Sequence, residues 1–198
     1  MKHLLALLVL ITCLSLGANA QAYERGGRYH SIGLGGSQFY HLGDYYQFGS
    51  LPYYPYEPIN TWYAPTTGQI NYQLEFGVSK YVGVGLTTGI GGRGNRSYGY
   101  SEVNVPIGVI ANFHFYQLID DKVSKDIHAD KLDIYVGANL GSGIAFRNSY
   151  YDNDIVAMVF GGVQTGIRYY VTEKLAVHLE TGYGKSFINA GITLRPTR

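Results

Sequence analysis

The chain has 198 residues, 15 Lys+Arg against 14 Asp+Glu, 27 glycines and 20 tyrosines, a length that suits one domain or at most two small ones. Glycine costs helix stability wherever it sits and here lacks a collagen period, which argues against a helical protein. Near-neutral charge argues against a nucleic-acid binder, which needs clustered basic surface, and 46% hydrophobic content argues against disorder.

The chain starts with the short basic stretch Met1-Lys2-His3. An apolar run follows from Leu4 to Leu16, broken only by Thr12, Cys13 and Ser15. Ala18-Asn19-Ala20 supplies the small-x-small pattern of a secretory signal, so cleavage is predicted after Ala20. Cys13 is the single cysteine; it lies inside the apolar run, with Thr12 where an acylation site wants a small residue. It is read as part of the removed signal, which leaves a mature chain without disulfides.

The mature segments alternate with a period of two, the pattern of strands. A Gly-rich first strand is predicted over 28–40, with Ile32 and Leu34 on one face. Over 69–79, Ile70, Tyr72, Leu74, Phe76 and Val78 oppose Gln69, Asn71, Gln73, Glu75, Gly77 and Ser79. Val82 to Ile90 alternates with glycine and threonine. Val103 to Phe115 opposes a face carrying Glu102, Asn104, Pro106, Asn112 and His114. Pro106 cannot donate to a ladder and usually marks a bulge or an edge. Leu132 to Leu140 opposes Asp133, Tyr135, Gly137 and Asn139. Three more strands follow, over 155–171, 175–184 and 186–195. No helical stretch is predicted between them. The fold class is all-β: eight antiparallel strands in an up-and-down barrel, which removes every sheet edge.

Two features place the apolar face toward lipid. The polar face is Gly, Asn, Gln, Thr and Ser with isolated charges, which suits a narrow lumen rather than a solvated surface. Charges gather instead in the connection 117–131. Aromatics cluster near strand ends: Tyr81, Phe115, Tyr116, Tyr169 and Tyr170 at one end, Tyr40, Tyr98, Tyr100, Tyr150, Tyr151, Tyr183 and Phe187 at the other. Such girdles are expected at the two membrane–water interfaces. The alternative is a soluble periplasmic lipocalin-like barrel with its apolar face around an apolar ligand.

With the first strand rising from the periplasm, the outer loops are 41–68, 92–100, 147–154 and a tight turn near 185. The inner turns are 79–81, 117–131 and 171–174. Loop 41–68 holds Tyr45, Tyr46, Tyr53, Tyr54, Tyr56, Trp62 and Tyr63, with Pro52, Pro55, Pro58 and Pro65. Prolines lower the entropy lost on ordering and tyrosines supply amphipathic contact area. The loop is therefore a candidate recognition surface for an unidentified ligand, or a cover over the barrel mouth.

The segments Gly166 to Thr172, Leu175-Ala176-Val177, Glu180 to Gly184 and Lys131 to Ala138 resemble the small outer-membrane β-barrel domain family of Gram-negative bacteria. Ile32-Gly33-Leu34-Gly35-Gly36 is similar to that family's first strand. The resemblance covers most of the mature chain. It implies residence in the bacterial outer membrane among its lipids, and insertion by the barrel assembly machinery. Many members end in an aromatic, whereas this chain ends Leu194-Arg195-Pro196-Thr197-Arg198.

Glu75, Glu102, His114, Arg168, His178 and Glu180 fall on the predicted inner face. They are read as a structural lumen network, because buried charges must pair. Arg168 with Glu180 is the expected pair, from adjacent strands around the turn 171–174. No catalytic, metal or cofactor site is expected. Gly89-Ile90-Gly91-Gly92-Arg93-Gly94 matches G-x-G-x-x-G, but no helix follows to hold phosphates. Asn95-Arg96-Ser97 matches a glycosylation acceptor, a pattern common by chance. His41 and Ser50 loosely suit a lipid-modifying enzyme, a second alternative. Eight strands leave an interior just filled by side chains, so an open pore is not expected. The overall expectation is a non-enzymatic monomer.

Overall fold

The computed structural model describes residues 22–41, 64–95, 100–123, 129–148, 153–185 and 187–196. The predicted signal and all seven aromatics of the candidate recognition loop lie outside the described residues.

Eight strands close into one barrel: β1 (Arg28–His41), β2 (Ala64–Gly77), β3 (Val82–Asn95), β4 (Tyr100–Phe113), β5 (Leu132–Asn148), β6 (Asn153–Tyr170), β7 (Leu175–Gly182) and β8 (Ile188–Leu194). Every strand pairs antiparallel with its sequence neighbours, and β8 returns to β1 through His30↔Leu194 to Gly36↔Ile188. Period-two alternation then places one face of each strand outside and the other inside.

The outer face is apolar. Leu34, Leu140, Val163 and Ile155 are 67%, 66%, 69% and 71% exposed, whereas Glu75 and Arg168 are 0% exposed. This orientation is that of a transmembrane barrel. It overturns the soluble-barrel alternative, which needs the apolar face around a ligand. Hydroxyls on the outer face are spent on backbone carbonyls: Thr165 Oγ1 donates to Tyr135 O (3.0 Å) and Thr181 Oγ1 to Phe187 O (2.8 Å). Lipid offers no competing partner, so this satisfaction must come from the protein.

Four expectations are corrected. First, β2, β3, β4 and β5 run further toward the long loops than predicted, shortening those connections to 42–63, 96–99 and 149–152. The added stretches of β2, β3 and β4 are polar or Gly-rich, whereas that of β5 carries Ile144 and Phe146 on the outer face. Second, a helix, α1 (Phe115–Asp120), follows β4 directly, where strand and then loop were expected. Third, Pro106 marks neither a bulge nor an edge. Thr88↔Ile107 and Gly91↔Asn104 share one register, and the ladder lapses only between them. Pro106 still faces Gly143 of β5, and Thr88 Oγ1 donates to its carbonyl at 2.8 Å. The bulge lies instead in the β1–β2 ladder between Gly35 and Gly36, opposite Gly68, whose φ of 82° suits glycine. Fourth, Tyr170 does not join a lipid-facing girdle: it is 1% exposed and points inward, as strand parity beside outward Tyr169 requires.

β7 and β8 have only 8 and 7 residues, against 17 and 18 in β5 and β6. Beyond their hairpin β1 pairs directly with β6, Tyr40↔Val159 and His41↔Met158. The hairpin tip therefore sits below the rim, next to the lumen.

Candidate functional site

The interior is the candidate site, and its chemistry starts near the short turns. His114 lies just past β4, with Nε2 2.7 Å from Glu75 Oε1 and Nδ1 2.8 Å from Asp133 Oδ1. Ionised carboxylates only accept, so two of them favour a ring that donates from both nitrogens; burial lowers the His114 pKa, but Asp133 and Glu75 outweigh it and raise it above its ordinary value. Arg168 on β6 donates through Nη2 to Glu75 Oε2 (2.5 Å) and through Nη1 to Asp133 Oδ2 (3.5 Å). Two carboxylates and two cations thus form a closed, fully buried square.

Aromatic rings enclose that square. The Arg168 guanidinium lies 4.4 Å from the Tyr135 ring centre and 5.7 Å from that of Tyr29. Tyr23 stacks on His114 with centroids 3.4 Å apart and on Tyr29 at 5.2 Å. The chain just before β1 is held there by Ala22 N donating to Ala129 O (3.3 Å), a carbonyl that Gln117 Nε2 of α1 shares (3.3 Å). The inner connection therefore helps close this end of the barrel. Glycines make the space: a Cβ on Gly83 would overlap Glu75 Oε1, and one on Gly166 would overlap the Tyr135 ring.

Glu180 is not the partner of Arg168, which corrects the sequence reading. Arg168 lies opposite His178 in the ladder, and Glu180 lies opposite Gly166. The Glu180 carboxylate takes Lys185 Nζ at 2.7 Å, the Tyr135 hydroxyl at 2.5 Å and Asn189 Nδ2 at 3.1 Å. Lys185 was assigned to an outer turn. The short hairpin carries it inward instead, where it is 3% exposed and also donates to Gln73 Oε1 at 2.6 Å. Asn139 fixes the tip, donating to Tyr183 O (3.0 Å) and accepting from Lys185 N (2.9 Å).

The remaining predicted lumen residues join the same system. His178 Nδ1 contacts Thr193 Oγ1 (3.1 Å), which meets Ser31 Oγ (2.8 Å). Glu102, toward the long loops, accepts from Arg147 Nε at 3.2 Å. Amides connect the levels: Asn112 Nδ2 donates to Glu75 (3.0 Å), Gln164 to Asn112 (3.0 Å) and Asn139 to Gln164 (3.2 Å). The four carboxylates Glu75, Asp133, Glu180 and Glu102 thus face the four cations Arg168, His114, Lys185 and Arg147. Asp133, Tyr135 and Lys185 escaped the candidate set. For the first two, strand parity beside Leu132 and Ile134 was the available signal.

Toward the long loops, beside the Glu102–Arg147 pair, Ala145, Met158 and Phe160 form a buried apolar cluster. A Cβ on Gly108 or Gly141 would overlap the Phe160 ring. Among the described residues no group of three His, Cys, Asp or Glu side chains is placed to hold a metal ion. His41 closes β1, and Ser50 lies outside the described residues.

Outside the lumen, Asp121 takes Lys80 Nζ and the Tyr81 hydroxyl on one oxygen, each at 2.5 Å. The Lys80 ammonium, then the Tyr81 hydroxyl, hold the Asp121 carboxyl below its ordinary range. The same bond pushes the Tyr81 phenol up. This contact ties the β2–β3 turn to the end of α1.

The fold is that of small outer-membrane β-barrels. The N-terminal β-barrel domain of Pseudomonas aeruginosa OprF is similar, with a TM-score of 0.52 at 13% identity, over 87% of this chain and 98% of that one. Ail, the attachment invasion locus protein of Yersinia pestis, gives 0.47 at 13% identity, over 86% of this chain and 95% of that one. No family model and no curated protein matches the sequence.

Proposed function

We propose that the protein is a non-enzymatic, monomeric barrel of the bacterial outer membrane, with a structural role and a surface-recognition role for loop 41–68. The observation that carries the structural reading is the compensated interior: each carboxylate of the lumen set has a cationic partner. A general acid or base needs a group held ready to exchange a proton with substrate. A conducting pore needs a continuous wet path, and an eight-stranded barrel with inward side chains leaves little room for one. The barrel assembly machinery is the partner that insertion of such a fold calls for.

Cell fractionation tests the location: the protein should enter the detergent-extracted outer-membrane fraction and show heat-modifiable gel migration. Recovery in the soluble periplasm defeats the proposal. Planar-bilayer recording should show no steady conductance. For recognition, removing residues 45–63 should abolish the surface binding measured with whole cells while gel migration stays heat-modifiable. Unchanged binding defeats that role. Lipid A composition should be the same with and without the protein; an acyl change would establish an enzyme instead.

A further inference from the structure

Along the outer face of β1, polarity falls in a fixed order from the short-turn end: Arg28, His30, Ile32, Leu34. Ile32 and Leu34 are 50% and 67% exposed, as a lipid-facing surface requires. His30 should by parity also face hydrocarbon, yet it carries a polar ring. Tyr72 of β2 answers one half of that ring, its hydroxyl 2.8 Å from His30 Nδ1. Arg28 is exposed and forms no ion pair among the described residues. By contrast, Lys80 at the same end of the barrel is engaged by Asp121.

Arg28 lies opposite Phe76 in the β1–β2 ladder. Phe76 also forms one wall of an outward-facing apolar groove of about 590 Å³, continued by Val84, Leu86, Val109 and Leu140. Its floor includes Ala111 and Ala138, which are cross-strand partners. A guanidinium at the interface, a histidine–tyrosine pair one step deeper and an apolar groove beside them complement one kind of molecule. It has an anionic phosphate head, a polar linker and long apolar chains.

We propose that Arg28, His30 and Tyr72 form a binding site for a net-anionic glycerophospholipid of the leaflet at the short-turn end. Arg28 takes the phosphate. The His30–Tyr72 pair meets the linker, and an acyl chain lies in the groove past Phe76. Arg28 suits the head because its planar fork matches phosphate oxygens and stays charged. The inference rests on the transmembrane orientation of the strands and is independent of loop 41–68.

Native mass spectrometry of the full mature barrel in detergent tests it, with titration of phosphatidylglycerol against phosphatidylcholine. The wild type should retain phosphatidylglycerol preferentially. Arg28→Gln should weaken that retention about fivefold, the scale of one interfacial cation near anionic lipid. Lys80→Gln should leave it unchanged. Heat-modifiable migration shows separately that each variant is inserted. Should Arg28→Gln fail to insert, Tyr72→Phe keeps the ring and should weaken retention about twofold, as expected for one hydrogen bond. Wild-type lipid preference in an inserted Arg28→Gln barrel overturns the site. So does equal retention of both lipids by the wild type, or binding of inorganic phosphate in place of the lipid.

Discussion

The two halves of the lumen solve the same space problem with opposite chemistry. Near the short turns, Glu75, Asp133, His114 and Arg168 form a charged square roofed by tyrosines. Near the long loops, Met158, Phe160 and Ala145 form a small apolar core, and the charge there is the single Glu102–Arg147 pair of the lumen set. The two halves should fail differently. Removing an apolar side chain leaves a cavity whose cost scales with its size. Removing one charge strands its partners in a medium that cannot solvate them.

The largest effect is therefore expected at Arg168→Met, which leaves Glu75 and Asp133 facing one cation, at about 4 kcal/mol. Urea unfolding from lipid vesicles, followed by heat-modifiable migration, measures it. Adding Glu75→Gln to that variant should recover part of the loss, because one of the stranded charges is gone. Without recovery, the square is not an ionic unit.

Phe160→Ala should cost about 3 kcal/mol by the same measurement, as a buried aromatic deletion. If it costs more than Arg168→Met, the contrast between the halves is wrong.

Gly166→Ala probes the space beneath the charged square rather than its charge. The added methyl meets the Tyr135 ring, for a loss of about 2 kcal/mol from overpacking. Gly166→Ala combined with Tyr135→Leu should cost less than the sum of the two single losses.

The smallest effect is outside the barrel wall. Asp121 has a depressed carboxyl pKa, so its contribution is present above the ordinary carboxylate range and lost as pH falls through the folded-state value. Lys80→Met should move the Asp121 carbon-13 titration upward while urea unfolding stays unchanged. A titration that does not move means that the ammonium is not the cause.

Much of the fold was legible because alternation is local. Ile70 to Phe76 and Leu132 to Leu140 each show their lipid face in the residue string, and all eight strands follow from such runs. Helix α1 was not legible: Phe115 to Asp120 has six residues, too few to display a helical period, and it continues a run that alternates well. The β3 extension near the long loops was missed because Gly92 and its neighbours carry no apolar signal. Of the candidate site, inward placement of Glu75, Glu102, His114, Arg168, His178 and Glu180 could be read from parity, and all six are buried. Lys185 could not be read, since a turn residue has no parity to follow.

The sequence by itself determined the strand count and which residues of each strand share a face, while closure of the sheet and the outward apolar face are facts of the folded barrel. The strand count and the shared faces depend on a two-residue period that the backbone imposes locally. Tertiary structure alone decided who pairs with whom inside. Arg168 passes over Glu180, two residues from its ladder partner His178, to reach Glu75 on β2. Glu180 takes Lys185 because β7 and β8 end early and lower their turn toward the lumen. Ion pairing depends on distance across the closed barrel and on hairpin depth, and both are set by register and strand length rather than by neighbours in the chain.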